Sequence, residues 1–199
     1  TKAGTFKVSI KDTPTDGIKG EVTIKVYELP VLTITGDTLE GCTPLAVNFN
    51  VQIQANPAIT TSEYKWTFGD GSATNAKSPK YTYKKVGDFD VAVGIKTNFE
   101  GCDVTKINPE YVHVHGVNAK FDIITVSECV APYIYDFKNT TTVEEGNVYS
   151  WDFGNGNKSA IYEGGSQNYT QSGEYKISLQ VTNKNGCKDT LIQTLSAGK

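Results

Sequence analysis

His113 and His115 are the only histidines in the chain. At i and i+2 on a strand they share a face with Tyr111, a spacing that lets two imidazoles grip one metal ion. No third ligand stands beside them, and the preferred reading is a solvated face near a domain end, with Val112 and Val114 turned inward. Asp70, with nearby loop acids, could hold Ca2+, although an acid beside glycine is ordinarily a turn residue. The four cysteines, Cys42, Cys102, Cys129 and Cys187, suit either disulfides or zinc, but no Cys-x-x-Cys pair is present. Gly-x-Ser-x-Gly, His-Glu-x-x-His and glycine-rich phosphate-loop patterns are also missing. We therefore expect no catalytic residues, no cofactor and no enzyme activity from this segment, with Ca2+ as the one ion to consider.

Partners are bounded by charge. The net charge of −3 comes from 19 basic and 22 acidic residues without a basic run, so no phosphate backbone is expected as a ligand. No apolar run reaches the length of a membrane span, and no membrane insertion by this segment is expected. The chain contains no Met and opens on Thr1 in the middle of a strand-like pattern, as an internal piece of a longer protein would.

What positions these residues is a duplication. Tyr64-Lys65-Trp66-Thr67-Phe68-Gly69-Asp70-Gly71 returns as Tyr149-Ser150-Trp151-Asp152-Phe153-Gly154-Asn155-Gly156. Around it, Cys42 matches Cys129, Pro44 matches Pro132, Phe49 matches Phe137, Gly87 matches Gly173, and Cys102 matches Cys187, all in one order. Val47, Phe49, Val51 and Ile53 alternate, as do Tyr64, Trp66 and Phe68, then Phe89, Val91, Val93 and Ile95. The second copy repeats this with Tyr133, Tyr135 and Phe137, with Tyr149, Trp151 and Phe153, and with Tyr175, Ile177, Leu179 and Val181. Such period-2 patterning buries one face of each strand and wets the other, which suits antiparallel sheets packed as a sandwich. Trp66 and Trp151 are expected in the cores. The glycines after them should turn the chain, and Tyr83/Gly87 and Tyr169/Gly173 resemble a tyrosine corner.

These residues, with Pro79, Tyr81, Phe89 and Val93, resemble the PKD (polycystic kidney disease) domain, an Ig-like β-sandwich. The second copy departs from the pattern at Asn155, where the family has Asp, and in having no Pro before Tyr169. The resemblance implies an all-β chain of tandem seven-stranded Greek-key sandwiches, one over residues 31–116 and one over 117–199. Residues 1–30 repeat the glycine-aromatic-valine step in Gly4-Thr5-Phe6-Lys7-Val8-Ser9-Ile10, turn at Asp16-Gly17, and read as the last hairpin of a preceding β module.

Four cysteines allow three pairings. The matched separations favour Cys42 with Cys102 and Cys129 with Cys187, each closing a loop worth up to roughly 4 kcal/mol in the chain-entropy model. Disulfides imply an oxidising compartment, here the cell surface or the extracellular space. Tyr111 and Tyr162 stand outside the core alternations and are candidate contacts for sugar rings. Asn139, Asn157 and Asn168 head formal N-glycosylation sequons. Asp37-Thr38-Leu39 and Asp189-Thr190-Leu191 resemble a Bacteroidetes O-glycosylation signature on Thr38 and Thr190. The Gly-Cys-x-Pro opening and Asn-Gly-Cys close resemble the PKD repeats of large Bacteroidetes adhesins, including those of gliding cells. That resemblance implies a non-catalytic stalk in a surface or secreted adhesin, whose partners are neighbouring repeats and extracellular glycans or surface polymers. An accessory polymer-binding module of a secreted hydrolase, of chitinase or collagenase type, is the alternative.

Overall fold

The computed structural model describes residues 2–10 and 20–198, so the turn expected at Asp16-Gly17 lies outside the described residues. The described residues form strands and turns without helix, as the alternation and β-rich composition require. β1 (Gly4–Ile10) and β2 (Gly20–Val26) make an antiparallel hairpin. Phe6 opposes Ile24 and Val8 opposes Val22, and all four side chains are exposed.

The first repeat runs through β3 (Val31–Gly36), β4 (Glu40–Cys42), β5 (Leu45–Gln54), β6 (Thr61–Thr67), β7 (Ala73–Thr74), β8 (Lys80–Tyr83), β9 (Gly87–Thr97) and β10 (Val104–His115). They form sheets of order β3-β5-β8 and β4-β10-β9-β6-β7. The second repeat runs through β11 (Phe121–Ser127), β12 (Tyr133–Asn139), β13 (Val148–Asp152), β14 (Lys158–Ser159), β15 (Gly165–Tyr169), β16 (Gly173–Thr182) and β17 (Lys188–Ala197). Its sheets, β11-β12-β15 and β14-β13-β16-β17, reproduce the first pair apart from β4. By density of contacts the chain divides into a unit of residues 1–39, 46–81 and 88–112 and a unit of residues 40–45, 82–87 and 113–199.

Alternation explains what is buried. Val47, Phe49, Val51, Phe68, Val91, Val93 and Ile95 lie inside, and Trp66 is 0% exposed. Trp151, 1% exposed, meets Phe121 edge-on with ring centroids 5.2 Å apart and stacks on Phe153 at 5.6 Å. Such aromatic pairs add to simple area burial. The pattern fades toward strand ends, where Ile53, Phe89, Tyr133 and Tyr175 are only half-buried, and Tyr64 in the middle of β6 is half-buried as well.

The glycine closing each Trp-x-Phe-Gly phrase is required twice over. Gly69 has φ +82° and Gly154 φ +69°, in the left-handed region. A Cβ on Gly69 would also stand 2.7 Å from the Asp90 carbonyl oxygen, and one on Gly154 2.8 Å from that of Lys176. In the turn that follows, the Asp70 carboxylate accepts hydrogen bonds from the Tyr81 hydroxyl (2.6 Å) and the Ser72 amide (3.0 Å). Desolvation pushes the Asp70 pKa up, but the bonds from Tyr81 and Ser72 outweigh it and hold the carboxyl below the usual range. Asn155 accepts the equivalent bond, from the Asn157 amide at 3.0 Å, without charge. The two copies thus build one Asx turn from an acid and from its amide.

Tyr169 is buried, and its hydroxyl donates to the Phe153 carbonyl at 2.9 Å, tying β15 of one sheet to the end of β13 in the other. Burial, with Tyr175 and Tyr135 nearby, pushes its pKa well above the ordinary phenol value. Tyr83 holds the equivalent buried position in the first repeat.

Two outcomes follow from these packings. Trp151→Ala should cost roughly 3–5 kcal/mol and Tyr169→Phe about 1–3 kcal/mol, because the latter leaves only a buried carbonyl unpaired; denaturant unfolding orders the two. Because the folded pKa of Asp70 is depressed, its stabilising contribution is complete above the unfolded value and disappears as pH falls through the folded one. A carbon NMR titration of the Asp70 carboxyl should give a midpoint below 3.8. Asp70→Asn should keep the turn, as Asn155 does, and abolish that titration.

Candidate functional site

The cysteines do not pair within repeats. Cys42 is bonded to Cys187, with Cα atoms 5.5 Å apart, while Cys102 and Cys129 are free thiols. This corrects the expected Cys42–Cys102 and Cys129–Cys187 bridges, and strand length is the reason. Cys102 sits just before β10, whereas Cys42 lies opposite His115, the last residue of β10, in a parallel pairing. Twelve residues of strand span roughly 40 Å at about 3.3 Å each. A disulfide tolerates Cα separations of only about 4.4–6.8 Å. Equal spacing along the sequence placed the two thiols of a repeat at opposite ends of its last strand.

In the second repeat, Cys187 likewise comes just before β17. Cys129 belongs to the connection between β11 and β12, whose Glu128 accepts from the Tyr135 hydroxyl at 2.8 Å. Gly198, past the end of β17, lies against the Tyr133 ring, so this connection sits at the far end of that strand.

The bond between Cys42 and Cys187 lies inside the unit that contains residues 40–45 and 113–199. The Thr43 amide donates to the His115 carbonyl at 2.8 Å, and His115 Nε2 meets Glu40 Oε1 at 2.9 Å, so β4 is held on both sides of Cys42. Asn183, 7% exposed, organises the other partner. Its Oδ1 accepts from the amides of Asn185 and Cys187, each at 3.0 Å, and its Nδ2 donates to the Gly116 carbonyl at 3.2 Å. Gly116 leaves no room for a side chain, since a Cβ there would lie 2.7 Å from Val86 and 2.9 Å from Thr43. The Ala119 amide then donates to Asp189 at 2.8 Å. Asn183 was not singled out from sequence. The Thr-Asn-x-x-Gly-Cys shared by residues 97–102 and 182–187 does not carry this role, since the equivalent Asn98 accepts from the Thr60 amide at 2.8 Å and donates to the Ala58 carbonyl at 3.1 Å.

The remaining candidates have structural surroundings. His115 is engaged by Glu40, and among the described residues no three His, Cys, Asp or Glu side chains gather as a metal site. Asp70 belongs to the turn described above. The half-buried Tyr111 donates its hydroxyl to the Ile34 carbonyl at 3.0 Å. Tyr162, expected outside the core, instead packs against the second core beside Tyr149 and donates to the Asn139 carbonyl at 3.2 Å. Burial, then the charges of Glu163 and Tyr149, push the Tyr162 pKa up. The first sequon asparagine, Asn139, is buried and donates to the Tyr162 carbonyl at 2.9 Å. Thr38 and Thr190 are exposed.

The sequence pattern of the PKD domain family matches residues 27–110 and 120–197. A segment of 60 residues is 40% identical to the pre-pro-metalloprotease PrtV of Vibrio cholerae, covering 29% of this chain and 6% of that protein. The crystal structure of the PKD1 domain of that metalloprotease is similar at 30% identity and a TM-score of 0.36, covering 43% of this chain and 100% of the domain. The PKD1 domain of Vibrio anguillarum Epp is similar at 30% identity and a TM-score of 0.36, covering 42% of this chain and 94% of the domain. With two matched stretches that together take up most of its length, this chain belongs to the PKD domain family.

Proposed function

We propose that this segment is a non-catalytic spacer: a stretch of tandem PKD modules in a large cell-surface or secreted protein that projects an adhesive region. The observation that carries this reading is the disulfide from Cys42 of the first repeat to Cys187 of the second. It closes a loop of 145 residues and makes two repeats one covalent unit, which suits a stalk that must transmit pull without lengthening. A stable disulfide also favours an oxidising location outside the cytoplasm.

What recurs between the copies supports the same reading. Core aromatics, turn glycines and cysteines repeat, while His113 and His115 have no counterparts in the second copy. The β1–β2 hairpin carries the glycine-aromatic-valine step of β9 and exposes an apolar face. It is the final hairpin of a preceding module, whose remaining strands cover that face. Neighbouring repeats are thus the immediate partners, with extracellular glycans or surface polymers at the adhesive region, as in the Bacteroidetes gliding adhesins that the repeats resemble.

A second reading draws on the 40% identity over 60 residues to a metalloprotease: an accessory module beside a catalytic domain in a secreted hydrolase. Co-sedimentation with chitin or collagen separates the two. Retention on the polymer favours the accessory module, and its loss favours the spacer.

Single-molecule stretching tests the spacer directly. Without reductant, the residues between the bonded cysteines should not extend. Reduction should release a hidden length of roughly 500 Å, from a separation of 145 residues at about 3.3–3.6 Å per residue. Equal total extension in both conditions would remove the covalent unit from the proposal.

A further inference from the structure

Cys42 and Cys129 are equivalent positions of the two repeats, as are Cys102 and Cys187. One bond joins the start cysteine of the first repeat to the end cysteine of the second, and the other two are free. We infer that Cys102 and Cys129 are attachment points for further PKD modules: Cys129 bonds the end cysteine of a following module, and Cys102 bonds the start cysteine of a preceding one. This inference rests on the tandem-module reading above.

The geometry within each repeat makes the stagger a rule. The end cysteine comes just before the last strand, and the start cysteine lies beside the last residues of that strand or their surroundings. Cys42 faces His115 at the end of β10. The connection that carries Cys129 lies beside Gly198, just past β17. Each module therefore offers one thiol at its leading end and one at its trailing end. A trailing thiol meets the leading thiol of the next module, as the bond between Cys42 and Cys187 demonstrates for one junction.

The free thiols have the surroundings this rule needs. Cys129 is exposed, like Cys42, which is exposed even when bonded. Cys102 is half-buried and closes the same Thr-Asn-x-x-Gly-Cys sequence as the buried Cys187, although its amide donates to the Phe99 carbonyl at 3.1 Å and Asn98 engages Thr60 and Ala58 in place of the cysteine. Both copies also place a proline shortly after the start cysteine, at Pro44 and Pro132. The hairpin of residues 1–30 contains no cysteine, so its module offers no leading thiol and the series of bonds stops there in the upstream direction.

Each bond forms by thiol–disulfide exchange with a disulfide-bearing oxidant of the oxidoreductase type. One thiolate attacks the oxidant's disulfide to give a mixed disulfide, and the second displaces it. The two protein thiols lose two protons and two electrons in total, and the oxidant leaves as a dithiol.

The test extends the full chain by a second copy of residues 117–199 after Lys199, produced in an oxidising compartment. Free thiols are alkylated before proteolysis and peptide mapping. The expected map joins Cys129 to the Cys187 of the added copy and retains the bond between Cys42 and Cys187. The free-thiol titre should then equal that of the unextended chain, where Cys102 and Cys129 are free, instead of doubling. Cys129→Ser in the extended chain should liberate the added Cys187 and leave the Cys42–Cys187 bond intact. A second extension, with residues 31–116 as the added module, should join Cys129 to the added Cys102 and guards against misfolding of the first. If Cys129 stays alkylated in both, or bonds Cys102 of its own repeat pair, the staggered series is overturned. An intact Cys42–Cys187 bond in that case leaves the spacer reading standing, so the two failures are distinguishable.

Discussion

Period-2 alternation along each strand is the constraint on which the rest of this chain depends. A strand that carries Trp66 or Trp151 inward must present its intervening residues to water, and only a second sheet can cover the inward set. The large rings then set the local details. Phe49 packs against Trp66 and Phe68, with ring centroids 5.9 and 5.6 Å apart, and Trp151 is enclosed by Phe121, Phe137 and Phe153. Because the chain leaving the tryptophan strand passes directly over the backbone of the neighbouring strand, Gly69 and Gly154 admit no side chain.

The same constraint decides where the ends of strands go. A sandwich closed by long final strands, β10 of 12 residues and β17 of 10, has two ends set far apart. Anything attached before such a strand is remote from anything attached beside its last residue. The cysteines obey this, and the covalent link appears where the end of one repeat's final strand and the turn before the next repeat's final strand are held together. Asn183, Gly116 and Thr43 shape that place through hydrogen bonds and close approach, so the disulfide is one part of a wider set of local contacts.

Residues whose chemistry could have suggested a site are used instead to satisfy backbone and strand edges. Tyr111 and Tyr162 spend their hydroxyls on carbonyls, His115 meets Glu40, and Asp189 receives the Ala119 amide. Where the described residues form no helix, many carbonyls and amides fall at sheet edges and connections, and polar side chains near them are drawn into that pairing. The half-buried rings of Tyr111 and Tyr162 keep an apolar side against the protein while the hydroxyl finds its partner.

The amino-acid sequence by itself determined the all-β class, the buried tryptophans, the turn after each Trp-x-Phe-Gly phrase and the buried tyrosine that returns its hydroxyl to the backbone at Tyr169. All of these rest on local periodicity or on what a single residue type can do, and both are written directly in the chain. Tertiary structure alone decided the partners of Cys42 and Cys187, the burial of Tyr162 and the work of Asn183. Repeat spacing measures distance along the chain, whereas a disulfide responds to distance in space, and a strand of 12 residues makes those two quantities diverge. The same holds for Tyr162 and Asn183, because a side chain in a connection has no period to reveal which core or carbonyl it will meet.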